Sequence, residues 1–211
     1  MAARGIIAAV LGVAVALAAC SGSAGSASSK PSDLVGQNQV GPYDGAGLVP
    51  PQPRPSFTLT ATSGKPLRFS SVTAGHPTFL YFGYTNCPDI CPETMADISI
   101  ALHKVPASVA SRTYVVFVTT DVKRDTGPVI ARWLANFSHG SRATWVGLRG
   151  SQTQIDAAQA AAHITLASDG GQTHSAQVLL YGPDDYAHVT FLQSGTEQQA
   201  MAHDLPIVAR G

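Results

Sequence analysis

Tyr81-Phe82-Gly83-Tyr84-Thr85-Asn86-Cys87-Pro88-Asp89-Ile90-Cys91-Pro92-Glu93-Thr94-Met95 is the stretch on which the reading of the whole chain turns. Ahead of the cysteines, Pro77 to Phe82 is an apolar run suited to a central strand. Behind them, Pro92 fits the first position of a helix, because its ring pre-sets φ and its missing N–H is no loss there. Glu93 complements the dipole of that helix, which is expected to run to about Lys104, with Cys91 near its N-cap. The pattern is therefore a strand, a dithiol and a helix N-terminus. Aligned N–H groups and the positive end of the dipole favour thiolate over thiol, so both sulfurs are expected to be good nucleophiles or soft-metal ligands.

Working outward, Phe57 to Thr60 and Leu67 to Phe69, with Ser63-Gly64 between them, read as a short hairpin. Downstream come a strand over Tyr114 to Thr119, a helix over Pro128 to Phe137, a strand over Thr144 to Leu148 and a helix over Ser151 to Ala162. Ala176 to Tyr181 and His188 to Leu192 form a second hairpin, and Thr196 to Ala209 a last helix. Alternating strands and helices imply an α/β domain with a central, mostly parallel sheet flanked by helices and closed by a ββα unit. A cysteine-bearing turn after an early central strand resembles the thioredoxin-like fold. Two features depart from an ordinary thioredoxin. The cysteines are one residue further apart than Cys-x-x-Cys, and no proline occurs between Pro128 and Pro183 to supply the cis proline that would face the dithiol. The corresponding loop reads Gln172-Thr173-His174-Ser175 and offers an imidazole instead.

The N-terminal region supports a different role. Arg4, the apolar run Gly5 to Ala19 and Leu17-Ala18-Ala19-Cys20 resemble a bacterial lipoprotein signal peptide, too short for a comfortable membrane span. On this reading residues 1–19 are removed and Cys20, the third cysteine, is the lipidation site. An uncleaved anchor is the alternative, and either places the domain on the extracytoplasmic face of the cell membrane. Residues 20–55, rich in Gly, Ser and Pro, read as a flexible tether with a reach of roughly 30 Å. Residues 56–211 are then one domain with a substantial core. Charged residues are only 12% of the chain and the net charge is zero, so there is no basic footprint for nucleic acid.

Two thiolates and an imidazole are a soft-to-borderline donor set. Thiolate favours Cu(I) and the nitrogen donor accommodates Cu(II), which makes copper the best assignment; a Cys₂His zinc site is the chemical alternative. Calcium and magnesium would need oxygen ligands. Cys87 and Cys91 as an inert disulfide is the plainer reading, but closing so short a loop gains little. No spacing argument ties His174 to the cysteines. Met95, one turn beyond Cys91, is either near the metal or, as that spacing more often gives, core filler; Asp89 and Glu93 read as solvated residues at the helix start, and Asp121 as a loop cap, with positioning a partner or a water as the alternative. His76, His103, His139, His163, His188 and His203 read as solvated or structural.

With Tyr81 to Thr85, Cys87-Pro88-Asp89-Ile90-Cys91-Pro92, and His174-Ser175 followed by Leu180 and Pro183, the chain resembles the Sco/SenC family of copper-binding proteins that assist cytochrome c oxidase assembly. Phe117 to Asp121 with Arg124-Asp125-Thr126 is similar to a third family segment. Val122 stands where the family usually has proline, and Thr173 where it often has a carboxylate or amide. The resemblance implies His174 as the third ligand beside Cys87 and Cys91, and copper as the metal. It further implies the copper-receiving subunit of cytochrome c oxidase as partner, with a thiol reductant or a copper donor protein upstream. A membrane-tethered metallochaperone is the function implied. The rival is an extracytoplasmic thiol–disulfide reductant using the same redox-active pair, Cys87 and Cys91, without need of His174. A peroxide-reducing relative is a weaker third reading, since no peroxide pocket is marked.

Overall fold

Every residue of Thr78–Gly83 is buried, so the run ahead of the cysteines is a strand covered on both faces. The computed structural model describes residues 41–192 and 197–211. In chain order its elements are β1 (Ala46–Pro53), β2 (Thr58–Ala61), β3 (Pro66–Arg68), α1 (Phe69–Val72), β4 (Thr78–Gly83), α2 (Ile90–Lys104) and α3 (Ala107–Ala110). There follow β5 (Tyr114–Thr119), α4 (Gly127–Ser138), β6 (Thr144–Arg149), α5 (Gln152–Ala161), β7 (Val178–Tyr181), β8 (Tyr186–Phe191) and α6 (Glu197–Val208). All eight strands share one sheet in the order β1-β8-β7-β4-β5-β6-β2-β3.

Parallel pairing is confined to β4, β5 and β6. The outer strands β7, β8, β1, β2 and β3 all pair antiparallel. The expected mostly parallel sheet is thus a mixed one, because hairpins rather than helical crossovers build its flanks. Alternation along β4 splits the core. Phe79 and Tyr81 join Met95, Phe117 and Leu205 on one face; Leu80 and Phe82 join Val118, Ile155 and Tyr181 on the other. This is a thioredoxin-like fold, with the ββα closure of β7, β8 and α6.

The tether assigned to residues 20–55 ends earlier than the sequence suggests. Residues 46–53 pair with β8, with a register shift between Gly47 and Gln52. Pro50, Pro51 and Pro53 are tolerated because β1 is an edge strand, where a missing N–H breaks no central ladder. Just after it, Arg54 is buried and binds Asp185, Thr73, Thr78 and the carbonyls of His76 and Gly182. Just before it, the N–H groups of Asp44 and Gly45 each donate at 2.8 Å to the buried carboxylate of Asp204 on α6. Phe69, expected to end a strand, instead opens α1. The signal peptide, Cys20, the tether up to residue 40 and the helix start at Thr196 lie outside the described residues.

Candidate metal centre

The helix carrying the second cysteine begins two residues before Pro92. Asp89 is its N-cap, the carboxylate accepting from Ile90 N at 2.6 Å and the carbonyl from Glu93 N at 3.1 Å. Pro92 is therefore the third helical residue, still within the first turn, where N–H groups have no helical partner. Cys91 sits inside that turn, fully buried, while Cys87 is half-exposed in the preceding loop. The Cys91 N–H points back at Cys87 Sγ, 3.4 Å away. Neither cysteine is in a disulfide.

His174 arrives from the loop before β7. That loop is closed by a bridge between Ser168 and Thr173 and seated by Thr120, whose Oγ1 lies 2.6 Å from the Gly171 carbonyl and 3.1 Å from the Gly83 carbonyl. One hydroxyl thus joins the cysteine strand to the histidine loop. Gly171 has φ +93°, and a Cβ there would stand 1.9 Å from the Thr120 carbonyl oxygen, so only glycine allows the approach. His174 Nε2 lies 3.3 Å from Cys91 Sγ. Its Nδ1 is 3.0 Å from the Ser175 carbonyl, which only accepts, so Nδ1 carries the proton and Nε2 presents its lone pair to the sulfurs. Tyr81 and Tyr84 pack edge-on against the imidazole, with centroids 6.1 and 5.5 Å away. The donor atoms of Cys87, Cys91 and His174 all lie within 4.8 Å of one another. An open cleft of about 320 Å³, lined by Tyr84, Cys87, Asp89, Thr173 and His174 among others, leads to them. Gly83 is needed too, since a Cβ there would stand 2.9 Å from Cys91 Sγ.

The two sulfurs differ, where the sequence reading expected both to be activated. For Cys87, burial opposes ionisation, but hydrogen bonds from the backbone of Cys91 and Asp89, then from the Cys91 and Tyr84 side chains, outweigh it and hold the thiol below its usual pKa. Burial pushes Cys91 up to about 12. Burial likewise depresses His174, against the Ser175 carbonyl, keeping the imidazole neutral. The reduced, metal-free protein is therefore expected to be alkylated by iodoacetamide at Cys87 first at neutral pH. Cys91 should react slowly until the medium is strongly alkaline, because only the thiolate attacks. Equal rates by peptide mapping would refute the asymmetry.

Among the remaining candidates, Met95 is fully buried in the core behind Cys91. Asp121 accepts from the Arg124 N–H and pairs with its guanidinium, which fixes the turn at Val122. Asp125, buried, accepts from Thr85 N, Thr85 Oγ1 and Thr119 Oγ1, tying the Cys87 loop to the end of β5. Thr173 bonds Asp169 and not the imidazole. Glu93 is exposed. His76 and His103 contact backbone carbonyls, and His188 pairs with Asp184. Asp44, His203 and Asp204 form a second cluster of metal-ligating types, but Asp204 is already bonded to two backbone N–H groups, so it clasps the start of β1 to α6. Tyr81, Gly83, Thr120 and Asp125 lie in segments that the resemblance already marks, but their roles, like that of Gly171, depend on contacts across the fold.

A thioredoxin-like domain with a dithiol and a free imidazole nitrogen converging at one end of its parallel strands defines a class of soft-metal-binding proteins. The chain belongs to the SCO1/SenC family, whose model matches residues 48–209. It is 30% identical over 137 residues to a Stutzerimonas stutzeri protein named for copper binding, an overlap covering 62% of this chain and 64% of that one. The chain spans less than two thirds of the length of the curated relatives it matches. Among solved structures it is similar to Bradyrhizobium japonicum ScoI with copper bound, at 27% identity and TM-score 0.59, over 74% of this chain and 98% of that one. Arabidopsis thaliana ScoI with copper bound shares the fold, at 22% identity and TM-score 0.65, over 75% of this chain and 99% of that one.

Proposed function

We propose that this protein is a membrane-tethered copper metallochaperone that carries one copper ion on Cys87, Cys91 and His174 and delivers it to the binuclear copper centre of cytochrome c oxidase. The observation that carries the reading is the convergence of two sulfurs and an unprotonated Nε2 within 4.8 Å. Metal–ligand bonds of about 2.0–2.3 Å put neighbouring donors roughly 3.3–4 Å apart, so a small ion fits with little rearrangement. Two thiolates with one imidazole suit copper in either oxidation state. The half-exposed Cys87 at the cleft mouth is the natural point for ligand exchange with the thiols of a receiving subunit. Lipidation of Cys20 would hold the domain on the extracytoplasmic face of the cell membrane, within reach of a membrane-bound oxidase.

The asymmetry of the two sulfurs favours a second reading, a thiol–disulfide reductant. Cys87 thiolate would attack a partner's disulfide, and Cys91 would then displace it, leaving a Cys87–Cys91 disulfide and two reduced partner thiols. An anaerobic copper titration of the reduced full chain separates the readings. The chaperone predicts one tight equivalent and, with Cu(II), a thiolate charge-transfer band that His174→Ala weakens or removes. Absence of tight copper, with dithiol turnover undiminished in His174→Ala, would overturn it in favour of the reductant.

A further inference from the structure

Behind the metal centre, a phenol touches two of its three ligands. Tyr81 has no exposed surface, and its hydroxyl lies 3.4 Å from Cys91 Sγ. Its ring also meets the His174 imidazole at a centroid distance of 6.1 Å and Phe117 at 6.3 Å. A phenylalanine would fill the same volume and make the same ring contacts. A buried hydroxyl must find a partner or carry a desolvation penalty, so its presence here needs one. The hydroxyl stands in donor geometry to the Cys91 sulfur, and the Thr94 side chain also interacts with the phenol.

We infer that Tyr81 is a tuning residue for the metal bound at this site: its O–H donates to the Cys91 sulfur and sets how strongly the centre prefers Cu(I) over Cu(II). The inference rests on the copper reading above. A hydrogen bond to a ligating thiolate withdraws electron density from the sulfur, which weakens its donation to the metal. The ion with the higher charge depends more on that donation, so the bond favours Cu(I) relative to Cu(II). Burial strengthens the effect, since no water competes for the sulfur's lone pairs and the local dielectric is low. The same donor lowers the energy of the sulfur orbitals, so it moves the sulfur-to-Cu(II) charge-transfer band to higher energy. Tyr81 acts through Cys91 and is not itself a ligand. With its hydroxyl hydrogen-bonded to the sulfur and its ring packed against the imidazole, Tyr81 also keeps the helix-borne cysteine and the loop-borne histidine in a common geometry.

The test compares the full-length wild type with Tyr81→Phe, measuring Cu(I) and Cu(II) affinities separately and recording the visible spectrum of the Cu(II) form. Tyr81→Phe is expected to lower the ratio of Cu(I) to Cu(II) affinity on the order of tenfold, about 59 mV for a one-electron couple. The charge-transfer band should shift to longer wavelength with little change in intensity. A merely structural role would weaken both ions together and leave the band in place. Site-specific replacement of Tyr81 by 3,5-difluorotyrosine keeps the ring and sharpens the donor, so it should shift the ratio and the band the other way. That result remains readable if Tyr81→Phe folds poorly. An unchanged ratio and band in both folded variants would overturn the inference while leaving the copper site intact. A wild-type protein with no charge-transfer band would instead remove the copper reading itself.

Discussion

Cys91→Ser is expected to abolish tight copper binding while leaving the fold in place. The substitution is nearly isosteric, but it exchanges a soft sulfur for a hard hydroxyl oxygen at the centre of the donor set, 3.3 Å from His174 Nε2. The loss should exceed the roughly 100-fold that removal of a supporting partner brings. Cys91 is also buried and receives the Tyr81 hydroxyl, so no water or neighbouring sulfur replaces it. The check is equilibrium competition for Cu(I) with a chromophoric chelator, alongside a thermal melt. A folded Cys91→Ser protein that still holds one equivalent tightly would remove Cys91 from the ligand set.

The second large effect is on stability and concerns a residue that composition hides. Arg54→Leu is expected to destabilise the domain by about 3–5 kcal/mol, because the buried guanidinium is the hydrogen-bond donor to two hydroxyls and two carbonyls, and a buried polar group left without its partner costs about 1–3 kcal/mol. The guanidinium bonds Asp185, Thr73, Thr78 and the carbonyls of His76 and Gly182, and lies over the rings of Phe69 and Tyr181 at 5.8 and 5.0 Å. It therefore fastens the exit of β1 to α1, to the start of β4 and to the turn between β7 and β8. Burial works against its charge and lowers its pKa, with Asp185 opposing that. For a domain of this size the melting temperature should fall on the order of 10 °C. A fall of only a degree or two would mean that β1 docks without it. A fragment begun at residue 56 lacks both β1 and Arg54, and should be less stable still.

Those two residues mark what could be read before the fold was known. Cys91 is legible because its signal is local: an apolar run, two cysteines and a proline near a helix start. Even there the helix begins at Ile90, since the Asp89 cap sets the start and Pro92 is equally acceptable in the third position. Arg54 and β1 are illegible because four prolines within six residues describe a tether well. Only pairing with β8, more than 130 residues away, makes residues 46–53 a strand. His174 lies between these extremes: a family resemblance points to it, and no spacing along the chain does. What fixes it in place, Thr120 under Gly171 and the Ser175 carbonyl on Nδ1, joins segments that are neighbours only once the sheet has formed.

The edge strand has a directional consequence. β1 runs antiparallel to β8, β8 antiparallel to β7 and β7 antiparallel to β4, so β1 runs opposite to β4. The chain consequently enters the sheet at the end where β4 leaves it toward the cysteines. Three strand spacings, about 14 Å, separate the two lanes. The Asp204 clasp on Asp44 and Gly45 makes that entry a fixed point of attachment. On the lipid anchoring proposed above, the leash would pull on the same rim of the molecule that opens to the ion, turning the mouth toward the bilayer and any integral protein within it. The anchor would then do more than restrict diffusion: it would orient the donor before contact, so that part of the rotational search is over when the acceptor arrives.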